Sequence, residues 1–232
     1  MINYNCFEYY QMSLLSPSTG TILLLCGYRR NGKDTFAGQL KGSIPADKYQ
    51  WKTIQPPKSK FTIPANSDYQ RISFAEQLKL DVLAQLGVDK IFDLDSLEQY
   101  KDVPLQDIPL DIPKALQNNK TLRDYLISIG EEKRAADPFH WCKAAFRNYD
   151  PHRDYVITDW RFPNEYKYIT NFIVPGKLIT VRVFRGEIAI PTYDGEHYLD
   201  NVATDVVVVP EHNFKFQYDS LIKQFPQYAD YL

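Results

Sequence analysis

Thr21-Ile-Leu-Leu-Leu-Cys26-Gly27-Tyr28-Arg29-Arg30-Asn31-Gly32-Lys33-Asp34-Thr35 is the stretch that decides the fold. A run of five apolar residues, Ile22 to Cys26, breaks into a loop with glycines five apart, then Lys33, then the helix-compatible Phe36 to Leu40. This is the layout of a strand, a phosphate-cradling loop and a helix. Gly27 lets the chain leave the strand sharply, and Gly32 lets backbone N–H groups approach phosphate oxygens with no Cβ in the way. A helix starting near Lys33 points the positive end of its dipole at the same oxygens. Asp34 stands where Ser or Thr normally meets magnesium, and Thr35 follows it. A carboxylate is a good magnesium ligand, directly or through water, so either residue can hold the ion. The competing reading is a Gly-rich turn with a solvated Lys33.

Working outward, 232 residues suit one α/β domain with insertions, or a domain with a small lid. The division expected is an arm over 1–20 and a phosphate-loop domain over 21–232, in which 43–68 and 93–119 are insertions or lid or acceptor-binding segments. A 44% apolar content with 17 Tyr and 13 Phe is ample for a core. The net charge of −2 offers no broad basic surface for nucleic acid, so an anionic partner should be small and locally bound. Cys6, Cys26 and Cys142 form no CxxC pair, and His140 with Cys142 is too thin for a metal site, which fits a reduced compartment. No apolar run approaches the ~20 residues of a membrane span, and the N-terminus lacks the order of a signal peptide.

Residues 43–68, with Pro45, Pro56, Pro57 and Pro64, read as an irregular insertion or an extended excursion. Arg71 to Phe74 reads as a strand and Ala75 to Leu86 as a helix stopped by Gly87. Residues 93–119 are acidic and then broken by Pro104, Pro109 and Pro113, which predicts a surface crossing. Thr121 is an N-cap for a helix from Leu122 to Gly130, and Pro138 to Tyr149 reads as another helix. Tyr155 to Thr158 is a buried strand, and Pro163 opens a helix to Phe172. Leu178 to Phe184 and Val206 to Val209 are strands, and Lys215 to Phe225 is a last amphipathic helix. Strands separated by helices predict an α/β fold with a mostly parallel sheet flanked by helices.

Three further segments carry chemistry. Asp159-Trp-Arg161-Phe-Pro-Asn-Glu165 follows a buried strand, which places Asp159 and Arg161 at the carboxyl edge where the phosphate loop also opens. There Asp159 can hold magnesium or its water, and Arg161 can grip phosphate at two points; the alternative is an acidic turn with Arg161 paired to Glu165. Arg123 falls in the first turn of its helix, where the dipole favours acids, so it reads as an anion ligand or, equally, as an ordinary exposed arginine. Phe74-Ala-Glu-Gln-Leu-Lys79 places Lys79 one turn into a helix, as a ligand or as an ordinary outward lysine.

In order along the chain, these segments resemble the phage-type deoxynucleoside monophosphate kinases. That group's pattern is a P-loop with GKDT, an FAxxLK segment, TxRxxLxxxG followed by Arg and Trp, DxRFxNE after a strand, VxR, Hxx[ED], and an Asp-led apolar strand. Here the corresponding stretches are Gly27–Thr35, Phe74–Lys79, Thr121–Trp141, Asp159–Glu165, Val183–Arg185, His197–Asp200 and Asp205–Val209. The resemblance spans residues 21–225; residues 1–20 and 43–68 have no counterpart, and Glu131 stands where the pattern has Thr.

The resemblance implies a nucleoside-monophosphate-kinase-like fold with a mobile lid, phosphorylating a deoxynucleoside monophosphate at the expense of ATP. It implies ATP and Mg2+ as cofactors, with Gly27, Arg30, Asn31, Gly32, Lys33, Asp34, Thr35 and Arg185 on the nucleotide and Asp34, Thr35 and Asp159 on the metal. Lys33, Arg123, Arg134, Arg161 and Asp159 are the expected catalytic set, and Phe74, Lys79, Arg123, Trp141 and Arg161 the expected acceptor-binding set. Arg185 and the loop from Pro210 to Asn213 are expected to flank the adenine. The expected partners are small molecules rather than nucleic acid or membrane, in a cytoplasmic protein, a viral host's cytoplasm included, and a homodimer is compatible with them. The rival readings are a kinase of another small phosphorylated acceptor such as phosphomevalonate, a kinase of a modified base in DNA, and a non-enzymatic ATP-binding module.

Overall fold

The computed structural model describes residues 18–57, 59, 62–64, 68–109, 120–191 and 196–231. Cys6, nearly all of the expected N-terminal arm, and the end of the 93–119 excursion lie outside them. The chain divides into two compact units, one of residues up to Ile72 together with those from Tyr149 onward, the other Ser73–Asn148.

The first unit is built on a six-stranded sheet. Its strands are β1 (Thr21–Cys26), β2 (Trp51–Ile54), β3 (Gln70–Ile72), β4 (Tyr155–Ile157), β5 (Lys177–Val183) and β6 (Val206–Pro210). They lie in the order β2-β6-β5-β1-β4-β3. All pairings are parallel except β2 against β6. β1 sits inside the sheet, between β4 and β5, and every one of its residues is buried. That is why it reads as a continuous apolar run rather than an alternating one.

The alternation of β6 separates the two faces. Val206 and Val208 pack with Leu23, Leu25, Val181 and Val183 against Phe36 and Ala37 of α1 (Lys33–Leu40). Val207 and Val209 pack with Ile54 and Phe184 against Leu221 and the neighbouring Phe225, at the end of α7 (Phe214–Gln224). The sheet is therefore covered by helices on both faces, as expected.

The second unit is helical. It comprises α2 (Glu76–Gln85), α3 (Leu94–Tyr100), a 3-10 turn (Leu105–Asp107), α4 (Leu122–Ala136) and α5 (His140–Ala145). One apolar cluster joins Leu78, Val82, Leu83, Leu97, Leu105, Ile108, Leu122, Ile129 and Trp141.

Three expectations need correcting. The excursion at 43–68 is not wholly irregular, because it contributes β2, which pairs with Val207–Pro210 at the sheet edge. The acidic stretch from 93 does not merely cross the surface: Leu97, Leu105 and Ile108 are buried, and Asp93 caps α3 by accepting a hydrogen bond from the Ser96 amide. The helix from Leu122 runs through Gly130 to Ala136. Gly130 acts there as a packing glycine, since a Cβ on it would lie 3.2 Å from the Leu78 side chain. Its carbonyl accepts a hydrogen bond from the Trp141 indole. The start of α4 is as read, with Thr121 and Asp124 forming a reciprocal capping box.

Candidate active site

The parallel register brings the carboxyl ends of β1, β4 and β5 to one edge, so Gly27–Lys33, Thr158–Arg161 and Phe184–Arg185 emerge together. The loop after β1 is held by contacts that its sequence requires. Gly27 has φ +136, and a Cβ there would meet the Val183 carbonyl at 2.3 Å. Gly32, with φ +91, lies against the Trp51 ring, which a Cβ would approach to 3.0 Å. Asn31 is buried and its amide donates to the Val183 carbonyl at 3.2 Å, which makes it a strut between the loop and β5. Its Oδ1 is buried with no hydrogen-bond partner among the described residues. Arg30 is exposed and adopts a left-handed conformation, φ +68.

The Lys33 ammonium turns back into the loop, donating to the carbonyls of Gly27 at 2.7 Å and Tyr28 at 3.0 Å. Burial and the nearby Arg161 guanidinium push its pKa below the ordinary lysine value, while Glu196 and Asp34 oppose that shift. Asp34 is exposed in the first turn of α1, where a carboxylate suits the dipole. It accepts a hydrogen bond from the Thr158 hydroxyl at 2.8 Å, so α1 is tied to the end of β4 beside Asp159.

Arg161 is exposed, and its guanidinium pairs with Glu196 at 3.2 Å rather than with Glu165. Glu165 is buried and accepts from the backbone amides of Arg161 and Phe162, closing the turn before α6 (Pro163–Tyr168).

Beside Gly32 and Thr35 lies a cavity of about 400 Å³, bounded also by Trp51, Arg185, Pro210 and His212. That volume is in the range of small-molecule sites, roughly 300–1,000 Å³. The Arg185 Nε is buried without a hydrogen-bond partner among the described residues. The wall contributed by residues 47–51 is fastened to α1 through Gln39. Its amide nitrogen donates to the carbonyls of Pro45, Ala46 and Tyr49, and its amide oxygen accepts from the Trp51 indole.

The other expected site residues belong to the helical unit. Lys79 pairs with Glu98 at 2.7 Å. Arg123 makes a two-point ion pair with Asp102, Nη2 to Oδ2 at 3.0 Å, so its cation has a carboxylate partner from outside α4. Phe74 and Trp141 are buried, and Phe74 packs on Phe146. Arg134 is half-buried in the last turn of α4, where a cation suits the dipole.

Three residues of this region carry no local sequence signal of their role: Trp51, Glu196 and Arg182. Arg182 is 2% exposed within β5. It donates to Tyr228 Oη at 2.8 Å and to the carbonyls of Leu199 and Val202 at 2.5 and 3.3 Å. A buried cation must find acceptors, and these come from residues 199–228, remote in sequence.

Among the described residues, no three His, Cys, Asp or Glu side chains gather as a preformed metal site. No described helix is long and apolar enough to cross a membrane. No protein-family model matches this chain, and no curated protein matches it.

Proposed function

We propose that this chain transfers a phosphoryl group from ATP to a deoxynucleoside monophosphate, with magnesium. The observation that carries the reading is Lys33, a half-buried ammonium held by two backbone carbonyls of its own loop, at the open end of a strand–loop–helix unit. A cation bonded to neutral dipoles is not paired off by them and can attract an incoming anion.

The residues present fit the nucleotide. Gly27 and Gly32 adopt positive φ and so let the loop turn from β1 into α1, whose N-terminal amides suit phosphate oxygens. The cavity between Gly32, Trp51 and Arg185 accommodates a base and sugar, and the unpartnered Arg185 Nε suits an acceptor atom. They also fit magnesium, which usually takes one or two protein carboxylates and completes its shell with water and phosphate oxygens. Asp34, with Thr35 and Asp159, would hold it, and the bound ion would neutralise charge on the transferring phosphate.

An acceptor monophosphate is already anionic near neutral pH, so the reaction needs no strong general base. An acceptor phosphate oxygen forms the new bond to the γ-phosphorus as the bond to the ADP oxygen breaks. Lys33 and Arg161 neutralise charge on the phosphates, and the loop amides orient them. Arg123, Arg134 and Arg161 are proposed for the acceptor phosphate or the transferring phosphoryl group, and Arg123 would exchange Asp102 for that anion. The mixture of acidic and basic residues, net −2, favours a small acceptor over DNA.

A coupled ADP-release screen across the eight common ribo- and deoxyribonucleoside monophosphates tests this. We expect magnesium-dependent release with at least one deoxynucleotide. ATP binding with no acceptor-dependent release would make the chain a binding module instead.

A further inference from the structure

Glu196 lies between the loop after β1 and Arg161. One carboxylate oxygen accepts from the backbone amide of Arg29, inside the phosphate loop, at 3.0 Å. The other faces the Arg161 guanidinium at 3.2 Å. The side chain is only 11% exposed. Its charge also reaches the Lys33 ammonium, favouring the protonated form. A loop amide, an arginine and the loop lysine around one anion form the set expected around a phosphate.

The crevice that Glu196 shares with Gly27, Tyr28, Trp160, Arg161, Arg182 and Leu199 has a volume of about 10 Å³. That is room for about one water molecule and not for a phosphate group. Neighbouring bonds keep the carboxylate there. Asp200 Oδ2 accepts from the Tyr28 hydroxyl at 2.8 Å and lies 2.6 Å from His197 Nδ1, while His197 Nε2 lies 2.8 Å from the Pro191 carbonyl. Tyr28 belongs to the phosphate loop itself, so the loop holds the segment that blocks it.

We infer that Glu196 is an internal competitor of the nucleotide phosphates, and that phosphate binding requires its carboxylate to leave Arg161 and the Arg29 amide. This rests on the phosphate-binding reading of the loop. A carboxylate bonded to a charged donor and a backbone amide must be displaced before the ligand gains the same contacts, so its removal should tighten phosphate binding about tenfold or more.

The experiment is calorimetric titration of the wild-type chain, Glu196→Gln and Glu196→Ala with ATP and, separately, with inorganic tripolyphosphate. Circular dichroism of each variant confirms its fold, and the isosteric glutamine keeps the test usable if the alanine variant unfolds. The expected result is tighter binding of both probes by the variants, since tripolyphosphate has no base or sugar through which the change could act. Equal or weaker binding by folded variants, with the wild type binding, overturns the inference alone. No binding by any of the proteins overturns the phosphate reading of the loop and the inference together.

Discussion

The two compact units differ in the partners of some of their cations. In the helical unit the cations close on carboxylates: Lys79 and Lys101 on Glu98, Arg123 on Asp102, Lys143 on Asp137. In the sheet unit Arg153, Arg161 and Lys215 also meet carboxylates, but the half-buried Lys33 and the buried Arg182 bond to carbonyl and hydroxyl oxygens. A carboxylate neutralises its partner, whereas a carbonyl satisfies the hydrogen bond and leaves the charge uncompensated. Arg182 spends its donors on tying the 199–202 turn and Tyr228 to the sheet. Lys33 lies at the open edge, bonded to carbonyls and with the Glu196 and Asp34 charges acting on it only at longer range. The difference teaches that the count of cations in a region says little about anion binding; what they are bonded to says more.

The contrast can be broken most visibly at Arg182. Arg182→Ala should lower unfolding free energy by about 3–5 kcal/mol, because it opens a cavity and strips donors from buried carbonyls. Urea denaturation measures this, and a loss near zero would mean that the guanidinium is not a structural tie.

A smaller effect is expected at Glu98. Burial works to raise its pKa, but the Lys101 and Lys79 ammoniums hold it at about 2, below the ordinary 4.5. A depressed carboxylate stabilises the fold above its unfolded pKa, and this contribution fades as pH falls from about 4.5 towards about 2. The carboxylate is 43% exposed, so solvent screening keeps the contribution to about 1 kcal/mol or less. Glu98→Gln should therefore be less stable than wild type at pH 7, with the gap closing on acidification. A gap that widens in acid would contradict the assignment.

The smallest effect belongs to Arg123 and Asp102, which are 36% and 53% exposed. A double-mutant cycle should give a coupling of about 0.5 kcal/mol. A coupling above about 2 kcal/mol would place this pair with the buried cations and erase the contrast.

What the sequence revealed follows from how local each cause is. The end of β1, the loop and the start of α1 were legible because Gly27 and Gly32 are demanded by close approaches and positive φ within one short stretch. Thr121 and Pro163 marked helix starts for the same reason, as cap chemistry acts over about one turn. β2 was not legible, since Lys52 and Thr53 are exposed and its strand character comes from pairing with β6 over 150 residues later. Gly130 resembled a helix stop, but its reason is the Leu78 side chain from another helix. The site divided along the same line. The loop residues and Asp159 follow from position on a strand edge, whereas Glu196 gains its role only when the turn after β5 returns to Arg29 and Arg161. Arg123 drew attention as a cation at the wrong helix end, and only the fold shows Asp102 answering it.

The central claim is that Lys33 holds its charge for nucleotide phosphate. The most direct measurement is kcat/KM for acceptor-dependent ADP release by wild type and Lys33→Ala, with urea unfolding of both proteins alongside. The account predicts a fall of about a hundredfold or more, because a preorganised charge on the transferring group is removed, with the cooperative unfolding transition retained. Undiminished release by Lys33→Ala would contradict it.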